Sequence, residues 1–142
     1  MSSSREPLPE DAVRAALAGV PFIKQVVCLP AVGSTNDAAR ALATGGAPHA
    51  TLVVTDHQTA GRGRMGRAWH SPPRAALAMS ILVRPGLAAA HAHRLTLLAG
   101  LAVAEGSEQA TGLPVKLKWP NDVVLEVGGW RLEGECLVTS KA

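Results

Sequence analysis

The stretch Gly61-Arg62-Gly63-Arg64-Met65-Gly66-Arg67 matches the G-x-G-x-x-G pattern of dinucleotide-binding folds. In those folds the glycines open a helix directly, and an acidic residue follows about 20 positions later. Here the loop runs into Pro72 and Pro73, and the region around Gly86 offers no carboxylate. A Walker loop is also excluded, because no Gly-Lys-Ser/Thr closes the stretch. The sequence therefore argues against a Rossmann or P-loop nucleotide site.

Glycines and arginines alternate in this loop, and the combination suits a small anion. Glycine lets the backbone approach a ligand closely and present its N–H groups. Arg62, Arg64 and Arg67 add bidentate donors that match phosphate or carboxylate oxygens. A solvated basic turn is an equally valid interpretation of the pattern alone. A nucleic-acid contact is a third, although no aromatic stacking platform lies beside the arginines.

The segment from Lys116 to Asp122, Lys-Leu-Lys-Trp-Pro-Asn-Asp, is the second one of interest. In a strand its two lysines share one face, whereas Leu117 and Trp119 share the other. Asn121 and Asp122 fall at the following turn. A lysine in this setting could place its ammonium against a phosphate, with a carboxylate near a metal. The alternative is an ordinary amphipathic strand with exposed lysines.

Turn and cap signals divide the chain into helices and strands. The predicted helices are 9–18, 36–44 and 88–110, the second with Ser34 or Thr35 as N-cap and Gly45-Gly46 as terminator. The predicted strands are 24–29, 51–56, 75–83, 115–119, 123–127 and 130–138. A loop covers 57–74, and Gly128-Gly129 reads as a hairpin turn. This order of elements predicts a mixed α/β fold whose sheet is not purely parallel.

The composition is that of a folded domain. The chain has 142 residues, of which 47% are hydrophobic and 18% are charged, which argues against disorder. Only 3% are aromatic, so the core must come mainly from Ala, Leu and Val. The net charge is +3, and the basic residues concentrate in the arginine loop rather than on the dense basic face of a nucleic-acid domain.

Compartment signals favour a cytoplasmic protein without membrane contact. Cys28 and Cys136 lack CxxC spacing, so they predict neither a zinc site nor a disulfide framework. The longest apolar stretch, Leu95 to Ala104, is about half of the roughly 20 residues that span a bilayer. On the predicted helix His91 and His93 diverge by about 200° and poorly share a metal. No metal ligands are assigned.

Taken in order, four segments resemble the biotin–protein ligase family. They are Gly33-Ser34-Thr35-Asn36, the run from Gln58 to Arg67, Trp69, and Lys118-Trp119-Pro120-Asn121-Asp122. The resemblance covers about residues 20–134. It implies an α/β (α+β) catalytic domain of the class II aminoacyl-tRNA synthetase and biotin ligase type, with a mixed, largely antiparallel sheet and flanking helices. It does not include an N-terminal DNA-binding domain, so no repressor role is implied.

The resemblance also implies roles for individual residues. Those that match biotin-binding positions are Ser34, Thr35, Asn36, Gln58, Gly61, Arg62 and Lys118. Those that match nucleotide- or phosphate-binding positions are Arg64, Gly66, Arg67, Trp69, Asn121 and Asp122. Lys118, Arg62 and Arg64 would carry catalysis, because two anions must meet and fixed cations are needed. Asp37 is interpreted instead as a helix carboxylate in the first turn.

The implied reaction uses ATP and magnesium to convert biotin into biotinyl-5'-adenylate. The biotinyl group then passes to a lysine of a biotin carboxyl carrier protein, a subunit of an acyl-CoA carboxylase. Because members of the family are often dimers, a homodimer is expected; nucleic acid is not. Two alternatives are an inactive remnant that at most binds biotin or carrier protein, and a relative of the lipoate–protein ligases. The arginine loop together with Lys-Trp-Pro-Asn-Asp favours biotin.

The resemblance weakens near the end of the chain. Arg131-Leu132-Glu133-Gly134 begins a family strand of the type Lys-Leu-Ala-Gly-Ile-Leu, and Glu135 and Cys136 break it. We interpret residues 135–142 as an atypical tail on an incomplete domain that lacks the later core strands and the SH3-like C-terminal domain. Ala78 stands where many relatives place an aromatic residue against biotin, which predicts a lower affinity.

Overall fold

The computed structural model describes residues 6–118, 122–127, 130–133 and 136–139. The chain divides into two compact units, Met1–Pro85 and Gly86–Ala142. The first unit contains helices α1 (Glu10–Leu17) and α2 (Thr35–Thr44) and strands β1 (Gln25–Cys28), β2 (Thr51–Thr55), β3 (Gly61–Arg62), β4 (Ala68–Trp69) and β5 (Ala78–Leu82). The second contains helix α3 (His93–Thr111) and strands β6 (Val115–Lys118), β7 (Asp122–Val127), β8 (Trp130–Glu133) and β9 (Cys136–Thr139).

Strand β2 forms the centre of the first unit. It pairs in parallel with β1 and antiparallel with β5, and all five of its residues are buried. Its sequence, Thr-Leu-Val-Val-Thr, is rich in the β-branched side chains that pack well on a pleated surface. The hydroxyl of Thr51 donates to the carbonyl of Pro48 at 2.8 Å, so this buried polar group is satisfied.

Helix α2 lies against β2 and β5 and connects β1 to β2. Ser34, one of the two predicted candidates, is its N-cap, and Thr35 and Ala39 form its buried face one turn apart. At the other end Gly46 has a φ of +87°, a conformation that glycine adopts without strain. The Arg84 guanidinium donates to the carbonyls of Ala43, in the last turn of the helix, and Ala47, just beyond its end.

The second unit is an antiparallel sheet with one helix on it. The strand order is β6-β7-β8-β9, and α3 packs against β6 and β7. Gly100 of α3 faces Leu117 of β6, whose Cδ2 would lie 3.5 Å from a β-carbon added at that glycine. Gly112 ends the helix with a φ of +67°. Leu117 therefore points toward the helix, as expected from its alternation with the two lysines.

Across both units, one strand pair is parallel and the other described pairs are antiparallel, so the predicted mixed, largely antiparallel α/β fold is confirmed. No helix in the described part of the chain is both long enough and apolar enough to cross a bilayer. The division into a family-like region of about 20–134 and an atypical segment 135–142 stays a prediction.

Three element predictions were wrong. The segment 57–74, predicted as a loop, contains the paired strands β3 and β4. The strand predicted at 130–138 is two strands, β8 and β9, and Glu133 pairs with Cys136. Residues 134 and 135, which separate this pair in the sequence, lie outside the described residues. The helix predicted at 88–110 is a 3₁₀ turn, Ala89–His91, followed by α3. His91 and His93 therefore do not share one regular helix.

Candidate functional site

Two segments that are far apart in the sequence meet where α2 begins. Val32 forms a parallel bridge with Gln58. The Thr59 N–H donates to the Val32 carbonyl at 2.9 Å, and the Ala60 N–H donates to the Gly33 carbonyl at 2.8 Å. The Gly33–Asn36 segment and the start of the Gln58–Arg67 segment therefore lie side by side.

Gln58 binds the first turn of α2. Its Oε1 accepts hydrogen bonds from the backbone N–H of Thr35 at 2.8 Å and from the Thr35 hydroxyl at 3.2 Å. Ser34, the N-cap residue, makes no capping bond with its own side chain. Gln58 thus satisfies an N–H that the helix start leaves without an intrahelical partner. In the described part of the chain the amide nitrogen Nε2 makes no hydrogen bond, so it is available as a donor.

Ser80 of β5 joins Gln58, Thr35 and Asn36 in a cluster of hydrogen-bonded side chains, called here the polar cluster. Its Oγ lies 2.9 Å from the Thr35 hydroxyl and 2.7 Å from Asn36 Oδ1. A serine hydroxyl carries one proton, so it can donate to only one of these two oxygens at a time. Ser80 was not among the residues that the sequence singled out. The available signal was a polar residue inside the otherwise apolar strand Ala-Met-Ser-Ile-Leu, on the face that alternation assigns to the interior.

The arginine loop is a hairpin in which β3 pairs with β4. A β-carbon added at Gly61 would lie 2.8 Å from the Trp69 carbonyl oxygen and 3.1 Å from Gln58 Nε2, so only glycine fits there. The Gly63 N–H donates to the Arg67 carbonyl at 2.8 Å. The close approach that Gly61 permits is therefore to the protein's own backbone and to the Gln58 amide.

Arg62 makes an ion pair that the sequence did not predict. Its Nη2 donates to Oδ1 of Asp37, which lies in the first turn of α2 as expected. Arg40 Nη1 lies 3.6 Å from the same carboxylate oxygen. The pair is half exposed, with relative side-chain accessibilities of 56% for Arg62 and 50% for Asp37. The Asp37 carboxylate thus joins Arg62 of the hairpin to the first turn of α2, where the polar cluster lies.

Of the remaining predicted residues of the hairpin, three lie at or near its tip, and Trp69 pairs with Gly61 at its base. Arg64 and Gly66 belong to a 3₁₀ turn, and Met65 and Gly66 both have positive φ values, 57° and 74°. Arg67 and Trp69 are exposed. The structure therefore places Gly61 and Arg62 beside the polar cluster and presents Arg67 and Trp69 to solvent.

The lysine segment lies in the second unit. The register of β6 and β7 sets Lys118 directly opposite Asp122, so these two predicted residues face each other across the hairpin. Trp119 and Asn121, the other residues singled out in this segment, lie outside the described residues. In the described ranges no three His, Cys, Asp or Glu side chains come together in a way that could hold a metal ion.

An open cleft of about 450 Å³ lies between α2 and β5. Its polar lining includes Asn36, Arg40 and Ser80. Its apolar lining includes Met79 and Ile81, both of which are exposed. A mostly apolar wall with a few convergent polar groups is typical of small-molecule sites. The polar cluster therefore borders a space large enough for a small ligand.

Cys28, at the end of β1, has a thiol pKa that is raised above its ordinary value. Desolvation by burial raises the pKa of its thiol, the negative charge of Glu10 raises the pKa further, and Arg14 opposes both effects. The raised pKa favours the protonated, weakly nucleophilic thiol over the thiolate.

Residues 29–135 match the sequence profile of the biotin/lipoate A/B protein ligase family. The chain belongs to this family. The match covers the polar cluster, the arginine hairpin and the lysine segment, so the resemblance inferred from the motifs is confirmed.

Two curated relatives match more than four fifths of this chain. A bifunctional ligase/repressor BirA from Bacillus spizizenii is 41% identical over 118 residues, which are 83% of this chain and 36% of that protein. A biotin–[acetyl-CoA-carboxylase] ligase from Mycobacterium tuberculosis is 38% identical over 130 residues, which are 87% of this chain and 49% of that protein. The chain thus spans about a third to a half of the length of these curated relatives.

A solved biotin/lipoate ligase structure shares the fold. The biotin protein ligase from Aquifex aeolicus in complex with biotin and ATP superposes with a TM-score of 0.60 and 39% sequence identity. The superposition covers 71% of this chain and 41% of the Aquifex chain. The mixed, largely antiparallel architecture is therefore that of a biotin protein ligase catalytic domain in the part that the two chains share.

Proposed function

We propose that this chain contains the adenylate-forming site of a biotin–protein ligase. One observation carries the proposal: the hydrogen bonds from Thr35 to Gln58 hold a neutral polar cluster directly beside the Gly61–Arg62 strand. Biotin has the same two-part character, with an uncharged ureido ring at one end and a carboxylate at the other. The relatives named as biotin ligases, and the Aquifex enzyme that holds biotin and ATP, support the same assignment.

The neutral end of the site would bind the ureido ring. Ser34 and Thr35 are almost completely buried, at 5% and 4% relative accessibility, and so offer hydroxyls in a nearly dry environment. Gln58 uses its oxygen on Thr35, which leaves its amide nitrogen as the donor for a ureido oxygen. Asn36 adds a further amide next to Ser80. A neutral ligand in a neutral pocket avoids the free energy of burying an unpaired charge.

The cationic end would bind the anions that react. Arg62 and Arg64, with Gly66, Arg67 and Trp69 in the same hairpin, would contact the biotin carboxylate and the α-phosphate. One carboxylate oxygen attacks the α-phosphorus of ATP, the bond to the bridging oxygen breaks, and pyrophosphate leaves with that electron pair. Fixed cations lower the repulsion between the two anions as they approach.

Lys118 would provide a further cation in this first step, and Asp122 opposite it is the candidate magnesium ligand. A single carboxylate suits magnesium, which usually binds one or two carboxylates together with substrate phosphates and waters. When bound, the ion would neutralise charge on the phosphates. The part assigned to Asn121 in nucleotide binding stays a prediction.

In the second step the carrier protein would accept the biotinyl group. The amine of a carrier lysine attacks the acyl carbon of the mixed anhydride, the bond to the AMP oxygen breaks, and the amine loses a proton. The carrier is expected to be the biotin carboxyl carrier protein of an acyl-CoA carboxylase, in line with the name of the Mycobacterium relative. A homodimer and a cytoplasmic location stay predictions.

The test is biotin-dependent release of pyrophosphate by the purified chain with ATP and magnesium. Lys118→Ala should abolish release. Lys116→Ala is the matched control, because Lys116 lies two residues earlier on the same strand and should leave release unchanged. No release from a folded chain, or equal loss in both variants, would contradict the proposal. Lipoate competing better than biotin would instead point to a lipoate-specific member of the family.

A further inference from the structure

We propose that Asp37 is a positioning residue, which holds the Arg62 guanidinium ready for the carboxylate of biotin. The inference rests on the proposed function and deepens it, because it names a residue that affects binding of the biotin carboxylate and not of the ureido ring. Asp37 would not touch the ligand. It would act through Arg62.

The geometry links the two residues directly. Arg62 Nη2 donates to Asp37 Oδ1, although the two residues are 25 positions apart in the sequence. Asp37 belongs to the same first turn of α2 as Thr35 and Asn36, the residues that contact Gln58 and Ser80. The carboxylate therefore fixes the cation relative to the neutral end of the site.

Positioning matters here because an arginine side chain is long and loses conformational freedom when it binds a ligand. The backbone before Arg62 is already confined, since Gly61 lies against the Trp69 carbonyl. The ion pair with Asp37 restrains the side chain as well, so part of the ordering precedes binding. An arginine has five N–H donors, and the contact with Asp37 leaves others for an incoming carboxylate. The half-exposed pair remains accessible to a ligand.

If Asp37 competed with the ligand for Arg62, the effect on biotin binding would be the opposite. Asp37 is an anion, and Arg40 lies 3.6 Å from the oxygen that binds Arg62. If the carboxylate mainly competed with ligand anions, removing its charge would release positive charge and tighten binding. Positioning predicts weaker binding instead. The direction of the change in biotin affinity therefore distinguishes positioning from competition.

The experiment compares biotin with biotin methyl ester, which keeps the ureido ring and lacks the charge. Isothermal titration of the full chain with Asp37→Asn should show biotin binding weakened about threefold to tenfold, with the ester unchanged. Asp37→Glu should restore part of the biotin affinity. Glu10→Gln is the matched control, because Glu10 is an exposed first-turn helix carboxylate paired with Arg14 and far from the hairpin in sequence.

A double-variant cycle tests whether the effect passes through Arg62. In an Arg62→Gln background, Asp37→Asn should add no further loss of biotin affinity. Additive losses, unchanged or tighter biotin binding, or an equal loss for the ester would overturn the inference alone. Failure of the unaltered chain to bind either ligand would overturn the proposed function, and this inference with it.

Discussion

The side-chain oxygen of Gln58 accepts two hydrogen bonds from Thr35, one from its backbone N–H at 2.8 Å and one from its hydroxyl at 3.2 Å. One side chain thereby caps helix α2 and joins the helix to the arginine hairpin. Because a buried N–H without a partner is unfavourable, the same contacts that shape the ligand site also stabilise the fold.

Gln58→Ala should lower the free energy of unfolding by about 1–3 kcal/mol, because the Thr35 N–H loses its partner in a buried position. Chemical denaturation monitored by circular dichroism measures this. Gln25→Ala is the control: Gln25 Oε1 lies 3.3 Å from the Thr51 hydroxyl, whose single proton has a shorter alternative in the Pro48 carbonyl at 2.8 Å. It should change stability by about 0.5 kcal/mol or less. Equal losses in the two variants would contradict the capping role.

Gln58→Glu separates stability from ligand binding. A carboxylate keeps oxygen acceptors for Thr35, so the free energy of unfolding should stay within about 1 kcal/mol of the unaltered chain. The amide donor is lost and a negative charge is added, so biotin affinity should fall about tenfold or more. Titration calorimetry beside denaturation checks both. Unaltered biotin affinity in this variant would argue against a ureido contact by Gln58.

Gly61→Ala should destabilise the first unit by about 1–3 kcal/mol, because the new methyl group would lie 2.8 Å from the Trp69 carbonyl oxygen and force the backbone to shift. Gly63→Ala is the matched substitution two residues on. Its methyl group would meet Arg67 at 3.6 Å, an ordinary contact, and stability should change by about 0.5 kcal/mol or less. Similar unfolding midpoints for the two variants would show that the close approach at Gly61 is not maintained in solution.

Ser80→Ala should lower the free energy of unfolding by about 0.5–1.5 kcal/mol, because the contacts of Ser80 Oγ with Thr35 and Asn36 are lost together. Ser80→Thr retains the hydroxyl and should recover part of the loss. Denaturation curves of the two variants provide the measurement. A threonine variant no more stable than the alanine variant would show that the hydroxyl contributes little.

Alkylation of Cys28 should report its raised pKa. The rate of reaction with iodoacetamide, followed by mass spectrometry of the Cys28 peptide, should rise with pH at a higher midpoint in the folded chain than in the denatured chain. Glu10→Gln should move that midpoint down, since the negative charge of Glu10 raises the pKa of the thiol. Coincident midpoints for folded and denatured chains would refute the effect of burial.

Local signals were sufficient for the elements that a short stretch of sequence specifies. Ser34 before α2, the glycines after it and the β-branched run of β2 each act on their own neighbours, so their positions could be predicted. The division of 130–138 into β8 and β9 was missed because Gly134 is the one break in a run that otherwise reads as one strand. A single glycine in a strand pattern marks a turn or only a local irregularity, and pairing partners decide which.

By itself the sequence determined the family, the mixed α/β class and the residue types of the site, because the arginine loop and the lysine segment are specific as linear motifs. Only the tertiary structure decided which side chains act together. Asp37 meets Arg62 across 25 positions, and Ser80 meets Thr35 across 45. Such contacts depend on how α2, β3 and β5 are placed in space. Nothing in the sequence around Asp37 or Ser80 indicates which side chains these two residues contact in the folded chain.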